Sequence, residues 1–194
     1  MHDIEPYFRW RGDYTADEDP KSPFYGRLYS EFEYSNKIYN HYIHPQWDEF
    51  GSLTLYTKIL FVDYDEQFAI FEMIGEWNDA IYNDIMYFKR NLINELIDES
   101  IFKFIIICDN ILNFHASDDS YYEEWYEDIK EDNGWICFIN TFKHVEDEMK
   151  SAMLQFFINF GENYNDINWR IYTPNNLFLM IENYVHSGVK RLRY

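Results

Sequence analysis

The alternation of apolar and polar positions becomes regular at Leu53. Two runs rich in β-branched and aromatic residues, 53–62 and 68–74, are separated by the polar stretch 63–66. Apolar runs joined by a short polar segment are typical of a β-hairpin. We therefore predict two antiparallel strands here, the second of which ends at Gly75.

A helix is predicted after these strands. Asn78 or Asp79 is suited to cap it, because short polar side chains accept hydrogen bonds from the first amides of a helix. Apolar residues follow at spacings of three and four and form one stripe, Ile81, Ile85, Phe88, Leu92 and Leu96. The helix is expected to end at about Asp98.

The next apolar run, 102–108, has the length and uniform character of a strand covered on both faces. A strand, a helix and a strand in this order predict a parallel pair. The run breaks at Asp109 into a polar stretch, which we interpret as the functional loop after a central strand.

A second helix is predicted from Ser120. Ser120 and Glu123 have the spacing of a capping box, in which each side chain accepts a hydrogen bond from the other residue's amide. The predicted buried stripe consists of Tyr121, Trp125 and Ile129. Residues 133–134, Asn and Gly, are a helix stop signal.

Four further elements are predicted in the last third of the chain. Residues 135–141 form a buried strand, and 169–172 form a short last strand. Between them lies a third helix with the stripe Val145, Met149, Ala152, Phe156 and Phe160, closed by Gly161. Thr173 and Pro174 supply a cap and a first-turn proline for a fourth helix through Leu177, Ile181 and Val185.

The order ββαβαβαβα predicts an α/β fold with a mixed, mostly parallel sheet and helices packed on it. We expect a single domain over 51–188 and a frayed basic tail at 189–194. Residues 1–50 show no sustained period, so we predict an irregular, aromatic-rich arm with one short helix near 34–42. The arm should pack on the body through its large apolar residues, Phe8, Trp10, Phe24, Tyr25, Phe32 and Trp47.

The charge of the chain narrows its partners. It carries 35 acidic and 16 basic residues, a formal net charge of −19, while 47% hydrophobic content excludes a disordered chain. An acidic surface repels phosphate backbones and anionic lipid, so we expect neither nucleic acid nor membrane as a partner. A protein partner, basic in character, is expected, and a homo-oligomer is left open.

The two cysteines, Cys108 and Cys137, each lie inside an apolar run. Two buried thiols fit a reducing compartment better than a disulfide scaffold. The chain also starts without a basic region followed by an apolar stretch, and no apolar run reaches the length of a membrane span. The sequence therefore predicts a cytoplasmic protein.

Polar residues gather where the predicted parallel strands end, which is where ligands bind in open α/β sheets. These candidates for ligand or partner binding are Asp109, Asn110, Asn113, His115, Ser117, Asn140, Thr141 and Thr173. A carboxylate, a histidine and a serine within nine residues also permit a hydrolase-type site, although the G-x-S-x-G elbow is absent.

The acidic helix offers a second candidate surface. Residues 121–132 mix aromatic side chains with carboxylates, and Glu124 and Asp128 are predicted to contact a basic partner. The alternative is an amphipathic helix whose acidic face is only solvated.

We expect no metal and no cofactor. His41 and His44 followed by Asp48 and Glu49 resemble a set of metal ligands, but Pro45 ends any helix that would fix their geometry. The seven glycines form neither G-x-G-x-x-G nor a P-loop, so nucleotide binding through a glycine-rich cradle has no support.

Three segments, 71–78, 104–117 and 169–177, resemble the domain shared by sulfate transporters and anti-sigma-factor antagonists (STAS), especially its SpoIIAA-like variant. The resemblance covers about residues 53–185 and is mainly one of topology. It implies a non-enzymatic regulatory domain with a phosphorylatable serine after the central strand, at the position of Ser117. Ala116, Asp118 and Asp119 depart from the family pattern, and the two aspartates would repel a phosphate on Ser117.

We therefore expect a non-enzymatic binding or regulatory protein that uses the loop 110–120 and the acidic helix after it. The first alternative is a small-molecule-binding protein or hydrolase-type enzyme with a site at the carboxyl ends of the strands. The second is an immunity-type inhibitor of a basic toxin or nuclease, which the net charge of −19 permits.

Overall fold

The computed structural model describes residues 4–191, and the side chains of residues 4–187. The first two strands of the chain, β1 Lys37–Ile38 and β2 His41–Tyr42, form a small separate hairpin in the arm. The main element is a four-stranded sheet of β3 Leu55–Asp63, β4 Phe68–Asn78, β5 Lys103–His115 and β6 Trp135–Ile139, which lie side by side in this order. Strands β3 and β4 form the predicted antiparallel hairpin, and β5 and β6 add in parallel. The predicted α/β fold with a mixed, mostly parallel sheet is thus confirmed.

The strand predicted at 169–172 is wrong, because this segment is a 3-10 helix, Trp169–Ile171. The outer edge of β6 is already occupied: Phe138 N donates to Asn159 O at 2.9 Å, and Asn159 N donates to Ile136 O at 2.9 Å. A further strand therefore has no open position beside β6.

Strands β4 and β5 run further than predicted. Gly75 does not end β4: it adopts a φ of +123°, and a Cβ there would lie 2.1 Å from the carbonyl oxygen of Thr54. Glycine therefore permits an irregularity through which the strand continues. The pairing of β4 and β5 reaches Asn78 and His115, so the stretch interpreted as a loop from Asp109 is strand as far as His115.

The single helix predicted before β5 is broken into α1 Asp79–Tyr82, α2 Asp84–Phe88, a π-helical turn Lys89–Ile93 and α3 Asn94–Asp98. The predicted cap at Asn78 is confirmed, since its side chain accepts from Ile81 N. Asn83 then takes a left-handed conformation with φ 55°. Asp79 accepts from Ile85 N at 2.8 Å across this break. The break turns Ile81 to solvent, contrary to the predicted stripe.

Helix α4, Ser120–Ile129, continues as the 3-10 turn Lys130–Asp132 and stops at Asn133 as predicted. The capping box does not form, because Ser120 is the first helical residue and Asp119 precedes it as the cap. The hydroxyl of Ser120 instead donates to Asp118. Tyr122, which the predicted stripe omits, is fully buried, whereas Tyr121 is only partly buried against the same core.

Two further helices complete the chain. Helix α5, Lys143–Ser151, is shorter than predicted because Met153 is left-handed, and a 3-10 turn, Leu154–Phe156, follows it. Helix α6, Pro174–Arg191, starts as predicted, with Asn176 N donating to Thr173 Oγ1 at 3.3 Å. The helix thus includes the start of the predicted frayed tail, of which residues 192–194 lie outside the described part.

The two faces of the sheet have separate cores. Helices α2 to α5 pack on one face around the fully buried Trp77 and Trp125. Helix α6 packs on the other face with Trp169 and Trp10. Both cysteines are buried and free.

The arm differs from its prediction in two respects. Residues near 34–42 form a small hairpin, β1 Lys37–Ile38 and β2 His41–Tyr42, and the predicted short helix is wrong. Of the large apolar residues in the arm, Trp10, Phe24 and Trp47 are buried. The others remain exposed, namely Phe8, Tyr25 and Phe32.

Candidate functional site

Three predicted site residues lie together at the carboxyl end of β6, where it ends beside the middle of the longer strand β5. Asp109, Asn140 and Thr141 line an open depression of about 320 Å³, with Asn165 and Asp166 opposite them. This is the edge at which ligands bind in α/β sheets. Its chemistry depends on which of these groups remain available for a ligand.

Both carboxylate oxygens of Asp109 are occupied. Oδ1 accepts from Asn140 Nδ2 at 2.7 Å, and Oδ2 accepts from Trp169 Nε1 at 2.9 Å and from Arg170 Nη1 at 2.5 Å. Asn140 Oδ1 in turn accepts from Ile167 N at 2.9 Å. Asp109 therefore anchors the segment 167–170 across the end of the sheet.

Arg170 bridges Asp109 to a second carboxylate, that of Glu72 on β4. Arg170 Nη2 lies 3.3 Å from Glu72 Oε1, and Tyr7 N donates to Glu72 Oε2 at 2.8 Å. Burial raises the pKa of Glu72 to about 7, while the amide of Tyr7 and the charge of Arg170 oppose that rise. This cluster fastens the arm to the sheet.

Thr141 is also engaged within the chain. Its amide and hydroxyl donate to Asn165 Oδ1 at 3.0 and 3.2 Å, and Asn165 Nδ2 donates to Glu146 Oε2 at 3.3 Å. The side chains of the depression thus satisfy one another, and the exposed carboxylate of Asp166 borders them. Such a closed network rigidifies a fold.

The carboxylate, histidine and serine considered for hydrolysis are not assembled. Asp109 and His115 lie on the same strand, and six residues of extended chain separate them by about 20 Å. Ser117 is exposed, and its hydroxyl oxygen accepts from Asp118 N at 2.6 Å. Asp109 is therefore too far from His115 to orient it as a base for Ser117.

The remaining predicted residues are distributed differently. Asn110 pairs with Ile74 in the sheet, and Thr173 caps α6. Glu124 Oε1 and Asp128 Oδ2 accept from Lys89 Nζ at 2.9 and 2.7 Å. The two helix carboxylates therefore hold α4 against the π-helical turn.

Asn113 leads to a group of residues that the sequence analysis missed. Its Nδ2 donates to Glu76 Oε1 at 3.0 Å, and the hydroxyl of Tyr39 donates to Glu76 Oε2 at 2.7 Å. The carboxylate of Glu76 thus ties the small hairpin of the arm to β5.

Large apolar side chains on the segments next to Glu76 are exposed to solvent. The exposed fractions of Ile81, Tyr39 and Leu53 are 73%, 70% and 67%. Leu53 is held near Glu76 by its neighbour Thr54, whose hydroxyl donates to Glu76 O at 3.0 Å. The pKa of Tyr39 is raised mainly by Glu76 and to a smaller extent by the nearby Tyr82. We call Tyr39, Leu53, Glu76, Ile81 and Tyr82 the Glu76 patch.

One signal in the sequence could have identified a functional-site residue that was missed, Glu72. Glu72 interrupts the apolar run 68–74, and a charge inside a buried strand needs a partner. That partner, Arg170, lies 98 residues away in the chain. No local pattern identifies it.

The other expectations have the following outcomes. Within residues 4–191, no group of three or more His, Cys, Asp or Glu residues is placed to hold a metal ion. His44 Nδ1 accepts from Gln46 N at 3.3 Å. None of the helices in the described part of the chain is both long and apolar enough to cross a membrane.

Comparison with known proteins leaves the family open. No protein-family model matches the chain, and no curated protein is significantly similar to it.

Proposed function

We infer that the chain is a non-enzymatic binding protein and that its partner is another protein, which contacts the Glu76 patch. The observation that carries this proposal is the exposure of four large side chains on the three segments that adjoin the end of β4 near Glu76. Isolated exposed apolar residues are normal, but several at one end of a strand, with tyrosines among them, are typical of a protein interface.

The state of the other candidate groups supports this choice. Asp109, Asn140 and Thr141 hydrogen-bond within the chain, which favours a structural role over catalysis. Glu124 and Asp128 are held by Lys89, so helix α4 is a weaker contact surface than the sequence suggests. The proposed surface therefore moves from α4 to the patch, which adjoins the end of β5 through the hydrogen bond from Asn113 to Glu76.

Charge indicates the character of the partner. The chain has a net charge of −19, and the patch exposes large apolar side chains, whereas the Glu76 carboxylate is buried and accepts from Asn113 and Tyr39. A partner with basic residues around an apolar groove would complement both features. A regulated protein and a basic toxin are both partners of this kind.

The experiment is a capture of the partner by tagged protein from lysate of the source organism, followed by affinity measurements with the purified partner. Two variants form a matched pair, because Ile81 and Ile171 are exposed to 73% and 70%. Ile81→Asp should weaken binding by at least about tenfold, and Ile171→Asp should leave it unchanged. Binding should also weaken as salt is added.

Two outcomes would contradict the proposal. One is a captured partner that binds Ile81→Asp as tightly as the wild type. The other is the absence of any partner near stoichiometric amount, which would direct attention to small molecules.

A further inference from the structure

A cavity of about 180 Å³ lies between the arm and strand β3. Its walls include Tyr7, Tyr14, Thr15 and Tyr29 from the arm and Lys58 from the strand. This place is distinct from the depression at the strand ends and from the Glu76 patch.

Two cations line this cavity, in a chain with 16 basic and 35 acidic residues. The side chain of Lys58 is only 9% exposed, and its Nζ lies 3.1 Å from Asp48 Oδ2. Arg11 is the second cation, and its Nη2 lies 3.4 Å from Glu5 Oε1. Asp17 is the one carboxylate among the cavity-lining residues that the structure describes. The lining residues therefore carry one more positive than negative charge, and the carboxylates that pair with the two cations, Asp48 and Glu5, are outside the lining.

Thr15 adds a hydrogen-bonding group without a partner. Its Oγ1 is buried and has no hydrogen-bond partner within the described part of the chain. An unsatisfied buried hydroxyl is unfavourable, so a rotation of the Thr15 side chain that lets it donate to a ligand atom in the cavity would be stabilising.

The walls of the cavity are aromatic and firmly held. Tyr7 packs edge-on against Trp10 and Trp169, with ring centroids 5.2 and 4.8 Å apart. The hydroxyl of Tyr14 donates to Asp19 Oδ2 at 3.0 Å. Rigid aromatic walls with a few polar groups at fixed places are the usual composition of a small-molecule site.

We propose that this cavity binds a small aromatic carboxylate. Its ring would pack against the tyrosines, and its carboxylate would accept hydrogen bonds from Lys58, Thr15 and Arg11. The volume of about 180 Å³ restricts the ligand to a single ring with short substituents. The inference is independent of the protein partner proposed above.

The probe is benzoate, with benzamide as a neutral molecule of the same shape. Calorimetric titration of the full chain should show that benzoate binds and that benzamide binds at least about tenfold more weakly, because the charge-assisted hydrogen bonds are lost. Equal affinities, or no binding of benzoate up to about 10 mM, would overturn the proposal.

Substitutions locate the site. Lys58→Met should weaken benzoate binding by at least about tenfold. Lys58 pairs with Asp48 and lies over the ring of Tyr29. The control is Lys103→Met, because Lys103 likewise pairs with a carboxylate, Glu182 at 3.1 Å, and lies over a ring, that of Phe178 at 5.0 Å, but does not line the cavity. Unchanged binding in the Lys58 variant, or equal loss in both, would place benzoate elsewhere.

A second variant covers the case in which Lys58→Met fails to fold. Thr15→Val removes a hydroxyl that has no partner, so the fold should keep its stability. Benzoate affinity should fall severalfold in this variant. Thr15→Val with full affinity for benzoate would contradict the role given to Thr15 and, with it, the site.

Discussion

Two lysines, Lys89 and Lys58, are both buried, yet their surroundings differ. The side chain of Lys89 is 1% exposed, and its Nζ donates to Asn94 Oδ1, Glu124 Oε1 and Asp128 Oδ2 at 2.9, 2.9 and 2.7 Å. Within the described part of the chain, Lys58 has one carboxylate, Asp48, at ion-pair distance. Its Nζ also lies 3.5 Å from the centroid of the Tyr29 ring.

The difference distinguishes a lysine whose charge is fully paired within the fold from one that can still bind a ligand. An ammonium group has three donors, and those of Lys89 are all used within the fold. Lys58 has donor capacity left and faces a cavity. Burial lowers its pKa, and Asp48 partly opposes that change. A buried charge is therefore a candidate for ligand binding only when its own fold leaves it incompletely paired.

The largest loss of stability is expected when the two ion pairs of Lys89 are removed. Glu124→Gln combined with Asp128→Asn should lower the free energy of unfolding by about 3–5 kcal/mol, because a buried charge loses its counter-charges. Urea denaturation followed by circular dichroism measures this loss.

The control for that experiment adds Lys89→Met to the same two substitutions. With the buried charge gone, most of the stability should return, since an apolar side chain replaces the ammonium group. If the triple variant is as unstable as the double variant, the carboxylates stabilise the fold through contacts other than those with Lys89.

Glu72 is intermediate between the two lysines in how completely its charge is paired, because its partners are one cation and one amide. Its pKa is raised to about 7 from an ordinary 4.5, mainly by burial. The folded state thus binds more protons than the unfolded state between these values, so stability should fall as the pH rises from 4.5 to 7. The contribution of this group is about 3 kcal/mol, at about 1.4 kcal/mol per pKa unit.

The measurement is the unfolding free energy of the wild type and of Glu72→Gln at several pH values over this range. The variant lacks the titrating group, so its stability should depend less on pH. Identical slopes for the two proteins would show that Glu72 is ionised throughout and that Arg170 compensates its burial fully.

Prediction from the sequence succeeds for features that a local run of residues determines and fails for those that depend on contacts between residues distant in the chain. The buried apolar runs predicted the four strands of the sheet correctly, because a strand covered on both faces must be apolar whatever packs on it. The ends of β4 and β5 were not predictable. Asp109 looks like the start of a loop, but the strand continues because β5 stays paired with β4 as far as His115. The Asp109 carboxylate is satisfied by Trp169 and Arg170, which follow it by 60 and 61 residues.

The candidate site shows a similar division. Asp109, Asn140 and Thr141 were predicted at one edge of the sheet, and the structure brings them together there. Their mutual hydrogen bonds, which make this group structural, depend on side-chain geometry that residue types alone do not reveal. The Glu76 patch arises because the helix breaks at Asn83 and leaves Ile81 in solvent.

The smallest expected effect tests Lys58. Asp48→Asn removes a carboxylate that also binds Arg27 Nη1 at 2.8 Å and the hydroxyl of Tyr29 at 2.6 Å. The pKa of Lys58 should fall further, because the attraction that opposes the effect of burial is lost. The free energy of unfolding at pH 7 should fall by roughly 2 kcal/mol, less than for Lys89, because water in the adjacent cavity can solvate the ammonium group.

Reductive methylation with ¹³C-formaldehyde, followed by NMR titration of the methylated lysines, measures the pKa of Lys58 in both proteins. Lys58→Arg identifies the resonance and serves as the control. Because neutral Lys58 no longer needs a counter-charge, the stability difference between Asp48→Asn and the wild type should shrink as the pH rises from 7 toward 10. A difference that stays constant over this range would assign the role of Asp48 to Arg27 and Tyr29, and Lys58 would then be no more available than Lys89.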